Sequence, residues 1–213
     1  MGKRLISFSA ILLLVALNVS GQNDPEAVKI LDRFSSTALN APSVSMNFDL
    51  ITRDQAENRT DTLSASAVIS NNSYRLELPD NIIWFNGEIS WSYLPVEKEV
   101  TITRPGKDDE SFQNRPASVF TMYKKGYKVR LLEDKGSSFI IDLYPEDLKS
   151  DLIHVRLSIN KTSLALNNLE YKQKDGVIRT ILVKDYDLKR KTDPAFFTFP
   201  KDQFKGVEII DMR

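Results

Sequence analysis

Phe85-Asn86-Gly87-Glu88-Ile89-Ser90-Trp91-Ser92-Tyr93-Leu94-Pro95-Val96-Glu97-Lys98-Glu99-Val100-Thr101 is the stretch that decides the fold. Ile89, Trp91 and Tyr93 alternate with Ser90 and Ser92, and Val100 with Ile102 takes up the same period after a polar turn. Successive side chains of a strand point to opposite faces, so this period of two marks a strand pair wet on one face and packed on the other. Asn86-Gly87 ahead of it supplies a tight turn.

Working outward, the signature recurs. Val44, Met46, Phe48 and Leu50 alternate with polar residues, as do Tyr74, Leu76 and Leu78. It returns at residues 127–131, 139–143 and 153–159, and in two segments, 169–174 and 178–186, joined by Lys174-Asp175-Gly176. The order predicts a meander of about ten to eleven antiparallel strands. Two segments break the period. Asp24 followed by Pro25 and Glu26 is a helix start, and Val28, Leu31, Phe34 and Ala38 recur at helical spacing before Pro42, which predicts a helix over 24–40. Residues 115–126, with Lys124 and Lys125 ahead of Gly126, predict a second, short helix.

Ten strands at ~4.8 Å spacing make a flat sheet nearly 50 Å wide, and a helix covers only ~10–12 Å. Two helices cannot cover such a face, so the expected fold is α+β, mainly antiparallel β: a strongly curled, incomplete barrel with a helical lid over an apolar interior. Alternation assigns Met46, Phe48, Leu76, Trp91, Tyr93, Val100 and Ile102 to that interior, with Trp84 nearby. Alternation alone does not separate a filled core from a lined cavity.

The N-terminus carries Lys3 and Arg4, an apolar run from Leu5 to Val19, and small residues ending at Gly21. This is the pattern of an export signal. As a helix, residues 5–17 would be about 20 Å long against a hydrocarbon core of ~30 Å. The expected organisation is a signal peptide over 1–21 and a single domain over 22–213. The chain has no cysteine, which leaves no site for a lipid anchor at the cleavage point and excludes disulfides, thiolate metal sites and a cysteine nucleophile.

Without Lys3 and Arg4 the chain has 27 basic and 29 acidic residues, a balance that argues against nucleic acid as a partner. His154 is the one histidine, so histidine triads and multi-histidine zinc sites are unavailable. It falls on the polar face of its strand beside Arg156 and Ser158, and a surface position is expected. Gly106-Lys107 lacks the rest of a phosphate loop. Asp108-Asp109-Glu110 and Glu146-Asp147 are acidic clusters in polar loops, where solvation is the ordinary explanation; a hydrolase using Asp108 and Glu110 is the enzymatic alternative. Lys189-Arg190-Lys191 is a solvated run, or else a contact for anionic head groups or an acidic partner. No metal, cofactor or catalytic residue is expected.

Gly87, Trp91, Tyr93, Pro95, Glu97 and Thr101 in the opening stretch resemble the hallmark of the periplasmic outer-membrane lipoprotein carriers of the LolA type. Phe196-Phe197-Thr198-Phe199-Pro200 followed by residues 206–211 looks like that family's closing segment, and the opening helix with Leu31 and Phe34 leading into residues 44–48 fits it too. The resemblance implies a soluble, monomeric, non-enzymatic carrier in the periplasm that shelters lipoprotein acyl chains between the inner and outer membranes. Its implied partners are acylated lipoproteins, an inner-membrane ABC-type transporter that releases them, and an outer-membrane acceptor or the outer membrane itself. The lipid-binding residues expected on cavity and lid are Phe34, Met46, Phe48, Tyr74, Leu76, Trp84, Trp91, Tyr93, Val100, Phe120 and Met122. One departure stands out: Ser70-Asn71-Asn72 occupies the place of the family's basic-Pro turn, whose arginine holds the lid, although the aromatic-Arg pair remains as Tyr74 and Arg75.

A chain of about fifteen methylenes costs roughly 12 kcal/mol to move from a bilayer into water. An apolar cavity offsets most of that but cannot drive extraction, so a separate energised machine is required. Moderate, adaptable binding suits Met46 and Met122. A free lipid, fatty acid or polyene is the alternative cargo, and an envelope sensor on the same barrel is a further reading.

Overall fold

The computed structural model describes residues 23–106, 115–133 and 136–213. Helix α1 spans Pro25–Leu39 with Asp24 as its cap; the Asp24 carboxylate accepts from the backbone N–H of Glu26 and Ala27. This helix matches the sequence expectation. The signal-peptide expectation over 1–21 lies outside the described residues.

Among the described residues twelve strands form one sheet. They are β1 (Val44–Asp54), β2 (Arg59–Ser70), β3 (Ser73–Glu77), β4 (Ile82–Phe85), β5 (Ser90–Leu94), β6 (Glu99–Thr103), β7 (Tyr127–Glu133), β8 (Ser138–Pro145), β9 (Leu152–Asn160), β10 (Leu166–Gln173), β11 (Val177–Asp187) and β12 (Glu208–Asp211). The order is β12-β6-β5-β4-β3-β2-β1-β11-β10-β9-β8-β7. Two meanders are thus joined by the long pair of β1 with β11, from Ser45↔Asp187 to Asp54↔Val177.

The sheet does not close, since β12 and β7 are its ends. All pairs are antiparallel except β12 on β6. One hydrophobic cluster contains residues of β1–β3, of β7–β11 and of α1 together. The sheet therefore curls around the helix as an incomplete barrel, as its width required.

Several details differ from expectation, among them the twelfth strand and its parallel pairing with β6. The segment 115–126 is not a helix of regular turns but two short 3₁₀ turns, Pro116–Phe120 and Met122–Lys124. Arg115 provides no side-chain cap, and β-branched Val119 and Thr121 disfavour α-helical packing over so few residues. Strand β2 carries low-contrast alternation: Ala65 and Ala67 face inward and Ser64 and Ser66 outward, which hides the period from a hydropathy reading.

His154 is a correction. It lies on the convex face, as its phase predicted, but it is only 9% exposed. Tyr144 of β8 stacks edge-on against it at 6.0 Å, and Glu170 of β10 lies 3.7 Å from its Nε2. Flanking strands cover it. Beside it Asp142 is fully buried in a two-pronged pair with Arg156 at 2.7 and 2.8 Å and accepts from the Tyr144 hydroxyl. This polar ladder staples β8 to β9 on the outside of the curl.

Candidate functional site

The concave face is apolar along most of its length. Val44, Met46 and Phe48 on β1 stand opposite Ile69, Ala67 and Ala65 on β2, and the row passes to Tyr74 and Leu76 on β3. Directly paired residues of an antiparallel ladder share a face. On the far wing Leu143, Val155, Leu157 and Leu169 continue the surface, all fully buried.

Two elements cover it. Helix α1 lays Ala27, Ile30, Leu31, Phe34 and Ala38 into the curl. The 3₁₀ segment adds Val119, Phe120, Met122 and Tyr123, with the Phe34 and Phe120 rings 5.5 Å apart. Among the described residues the backbone bonds within this cover are short-range, such as Thr121 N–H to Ser118 O and Lys124 N–H to Thr121 O. A longer tie crosses to α1, where the Tyr123 hydroxyl donates to the Asp32 carboxylate. Burial, and then that bond, push the Tyr123 phenol well above its usual range.

A cleft of about 920 Å³ opens beside this cover, comparable to small-ligand sites of roughly 300–1,000 Å³. Its apolar lining includes Leu39, Tyr74, Phe85, Met122 and Tyr127. Its polar rim is set by the β2–β3 turn on one wall, with Asn71 and Asn72, and by Arg115 and Lys125 at the two ends of the lid segment on the other. Asp147 also lines it, but its carboxylate accepts the Lys149 N–H at 2.9 Å and closes a local turn. Asp108, Asp109 and Glu110 lie outside the described residues. Among the described residues no group of acidic or histidine side chains could hold a metal ion.

The expected lipid-binding residues part into two sets. Phe34, Met46, Phe48, Tyr74, Leu76, Phe120 and Met122 belong to the concave cluster. Trp84, Trp91, Tyr93 and Val100 lie on the convex face, in a second cluster with Ile102. The ladder dictates this: Tyr74 pairs Phe85 and Leu76 pairs Ile83, which leaves Trp84 on the face of its partner Arg75. Trp84 then pairs Trp91, which pairs Ile102, and Ile82 pairs Tyr93, which pairs Val100. The concave side of β5 and β6 carries Ser90, Ser92, Thr101 and Thr103 instead. Phasing each strand by its bulk turned these strands the wrong way round.

The aromatic convex patch is covered by the C-terminal segment, which the sequence reading did not connect to it. The Phe199 ring lies 5.4 Å and the Phe204 ring 5.8 Å from Trp84, and Phe204 is 4.7 Å from Tyr93. Arg75 is held over Trp84 at 5.4 Å and over Phe196 at 5.0 Å, and Arg190 covers Phe196 at 4.9 Å. Arg75 thus fastens this segment and points away from the lid. The signal was present in the sequence as Phe196-Phe197-Thr198-Phe199, an aromatic run too dense for an exposed tail.

The Ser70-Asn71-Asn72 turn has its own fastening. The Asn72 amide donates to the Gly87 carbonyl at 3.1 Å, and Asn71 takes a positive φ of 52°. Gly87 has φ 97°, a conformation in which any other residue is strained. The two turns dock on one another, and Asn71 and Asn72 of the first line the cleft.

The profile of the outer membrane lipoprotein carrier protein LolA matches residues 17–175. No curated protein sequence matches the chain. Among solved structures, an uncharacterized conserved protein from Thermus thermophilus is 14% identical, with 87% of this chain and 99% of that one covered and a TM-score of 0.55. A LolA superfamily protein from Nitrosomonas europaea is 13% identical, over 82% and 98% of the two chains, with a TM-score of 0.45. A domain from Vibrio parahaemolyticus, provisionally assigned to outer membrane lipoprotein sorting, is 11% identical over 84% and 98%, with a TM-score of 0.46. The likeness to the Thermus protein is one of fold.

Proposed function

Because the chain belongs to the family of outer membrane lipoprotein carrier proteins of the LolA type, we propose that it is exported to the periplasm and there carries the acyl chains of lipoproteins from the inner to the outer membrane. The observation that carries this reading is an apolar concave face closed by α1 and by a lightly tied 3₁₀ lid, with a cleft of about 920 Å³ at the lid's edge. The interior is packed in this state, with Phe34 and Leu157 at 0% exposure and Leu76 at 1%. Acyl chains enter as the lid lifts, replacing contacts between lid and sheet by contacts between chain and sheet. Each buried methylene contributes about 0.8 kcal/mol, so the net affinity is this gain less the cost of opening the lid. Moderate binding follows, which suits a carrier that must let go.

The role is binding without catalysis. Loading is assigned to an inner-membrane ABC-type transporter, since the sequence carries no phosphate-loop motif for a nucleotide, and unloading to an outer-membrane acceptor or to the membrane itself. Purifying the protein from its own envelope and analysing bound species by mass spectrometry tests the reading. Acylated protein fragments are the expected ligands. A ligand-free protein whose depletion leaves lipoproteins correctly sorted would overturn it, and a bound polyene or free fatty acid would replace the cargo.

A further inference from the structure

Five buried side-chain polar atoms of the described residues lack a hydrogen-bond partner: Arg75 Nε, His154 Nε2, Asn168 Oδ1, Tyr171 Oη and Tyr186 Oη. The first three lie on the convex face: Arg75 stacks on Trp84, His154 faces Glu170, and Asn168 pairs in register with Leu182 and Ser158. The two phenols are different. Tyr186 pairs in register with Met46, and Tyr171 with Val155, so both stand on the concave face, packed against its apolar cluster.

A hydroxyl buried without a partner loses its hydration and gains nothing in return. Phenylalanine would fill the same space without that cost. Burial also pushes both phenols well above their usual range, and Tyr127, a cleft residue, adds to the effect at Tyr171. What the concave face has in excess is two neutral donors; what an ester-linked acyl chain brings into it is carbonyl oxygens, which accept and cannot donate. A bare hydrocarbon or polyene brings none.

We propose that Tyr171 and Tyr186 are donors to the ester carbonyls of the bound acyl chains, so that the cargo is selected as a glyceryl ester and not merely as a long apolar chain. This rests on the reading that the concave face receives acyl chains. It adds a specificity element that the apolar lining cannot provide, since methylenes discriminate only by length.

The test compares Tyr171→Phe, Tyr186→Phe and the double variant with the unaltered protein, after expression of the full chain. Binding of dipalmitoylglycerol is measured beside its dihexadecyl ether analogue, which lacks the carbonyls. The unaltered protein is expected to favour the ester, and each substitution to weaken ester binding by roughly three- to tenfold while ether binding stays unchanged. Thermal melting of the ligand-free variants should be unchanged or higher, because an unpaired hydroxyl has been removed. Equal binding of ester and ether by the unaltered protein, or equal losses for both in the variants, overturns the proposal and leaves the carrier reading standing. A lower melting temperature with ester preference intact overturns it too, as the sign of phenols satisfied by internal water. Failure to bind either lipid overturns both.

Discussion

Tyr123 connects the lid to α1 through its hydroxyl. It donates to Asp32 on the outer side of that helix, from a segment whose backbone bonds are mostly short-range. Tyr123→Phe keeps the ring in the core and removes the tie, so the lid should open more readily. The expected result is a fall in stability of about 1 kcal/mol with a several-fold faster uptake of a fluorescent acyl probe in stopped-flow mixing. A slower uptake would show that the lid does not gate entry. Asp24 carries a comparable double duty: it caps α1 and also accepts the Leu131 N–H at 3.3 Å, while the Asn23 side chain accepts that of Val129. The open edge of β7 is thereby occupied by residues leading into α1, which protects it from pairing with other strands.

Among the elements, α1 was legible because its cap, its proline and its apolar spacing all agreed, and the long alternating strands β1, β9 and β11 were legible for the same reason. The lid was legible as an interruption but not as 3₁₀ turns, since Pro116 and β-branched residues fit either form of helix in a short window. The faces of β4, β5 and β6 were not legible. A period of two fixes that alternate residues share a face, but which face is inner depends on cross-strand pairing, and Trp91 beside Ser90 pointed to the wrong answer. The C-terminal segment makes the outcome possible by giving the outer aromatics a cover of their own. Phe199→Ala should therefore loosen that cover without opening the main core. A loss of about 3 kcal/mol is expected, with a red shift of tryptophan emission as Trp84 meets water, and unchanged amide protection in β9. Loss of protection in both regions would show that the two clusters form one cooperative unit.

At the scale of the whole molecule, one curled sheet serves two clusters: an inner one under α1 and the lid, and an outer one under the C-terminal segment. The inner cluster holds the two unpaired phenols, whose burial keeps them neutral well above the usual tyrosine range. Their contribution to the pH profile has a definite sign. Below about pH 10 the phenols are neutral in both folded and unfolded chains, and stability is fully present. As pH rises further the unfolded chain ionises first, so stability falls toward the raised folded values. Denaturant unfolding followed from about pH 8 to about pH 11 should show this decline, and Tyr171→Phe combined with Tyr186→Phe should flatten it.

In the proposed carrier, acylated cargo lies on the concave face beneath the lid and not against the convex aromatics. Photo-crosslinking in the native envelope tests it most directly, with benzoylphenylalanine placed in turn at Tyr74, Met122 and Tyr93. The first two line the cleft, and the third lies on the convex face under Phe204. Adducts with acylated lipoproteins are predicted at positions 74 and 122 and not at 93. Adducts at 93 alone, or at none of the three, would contradict that placement.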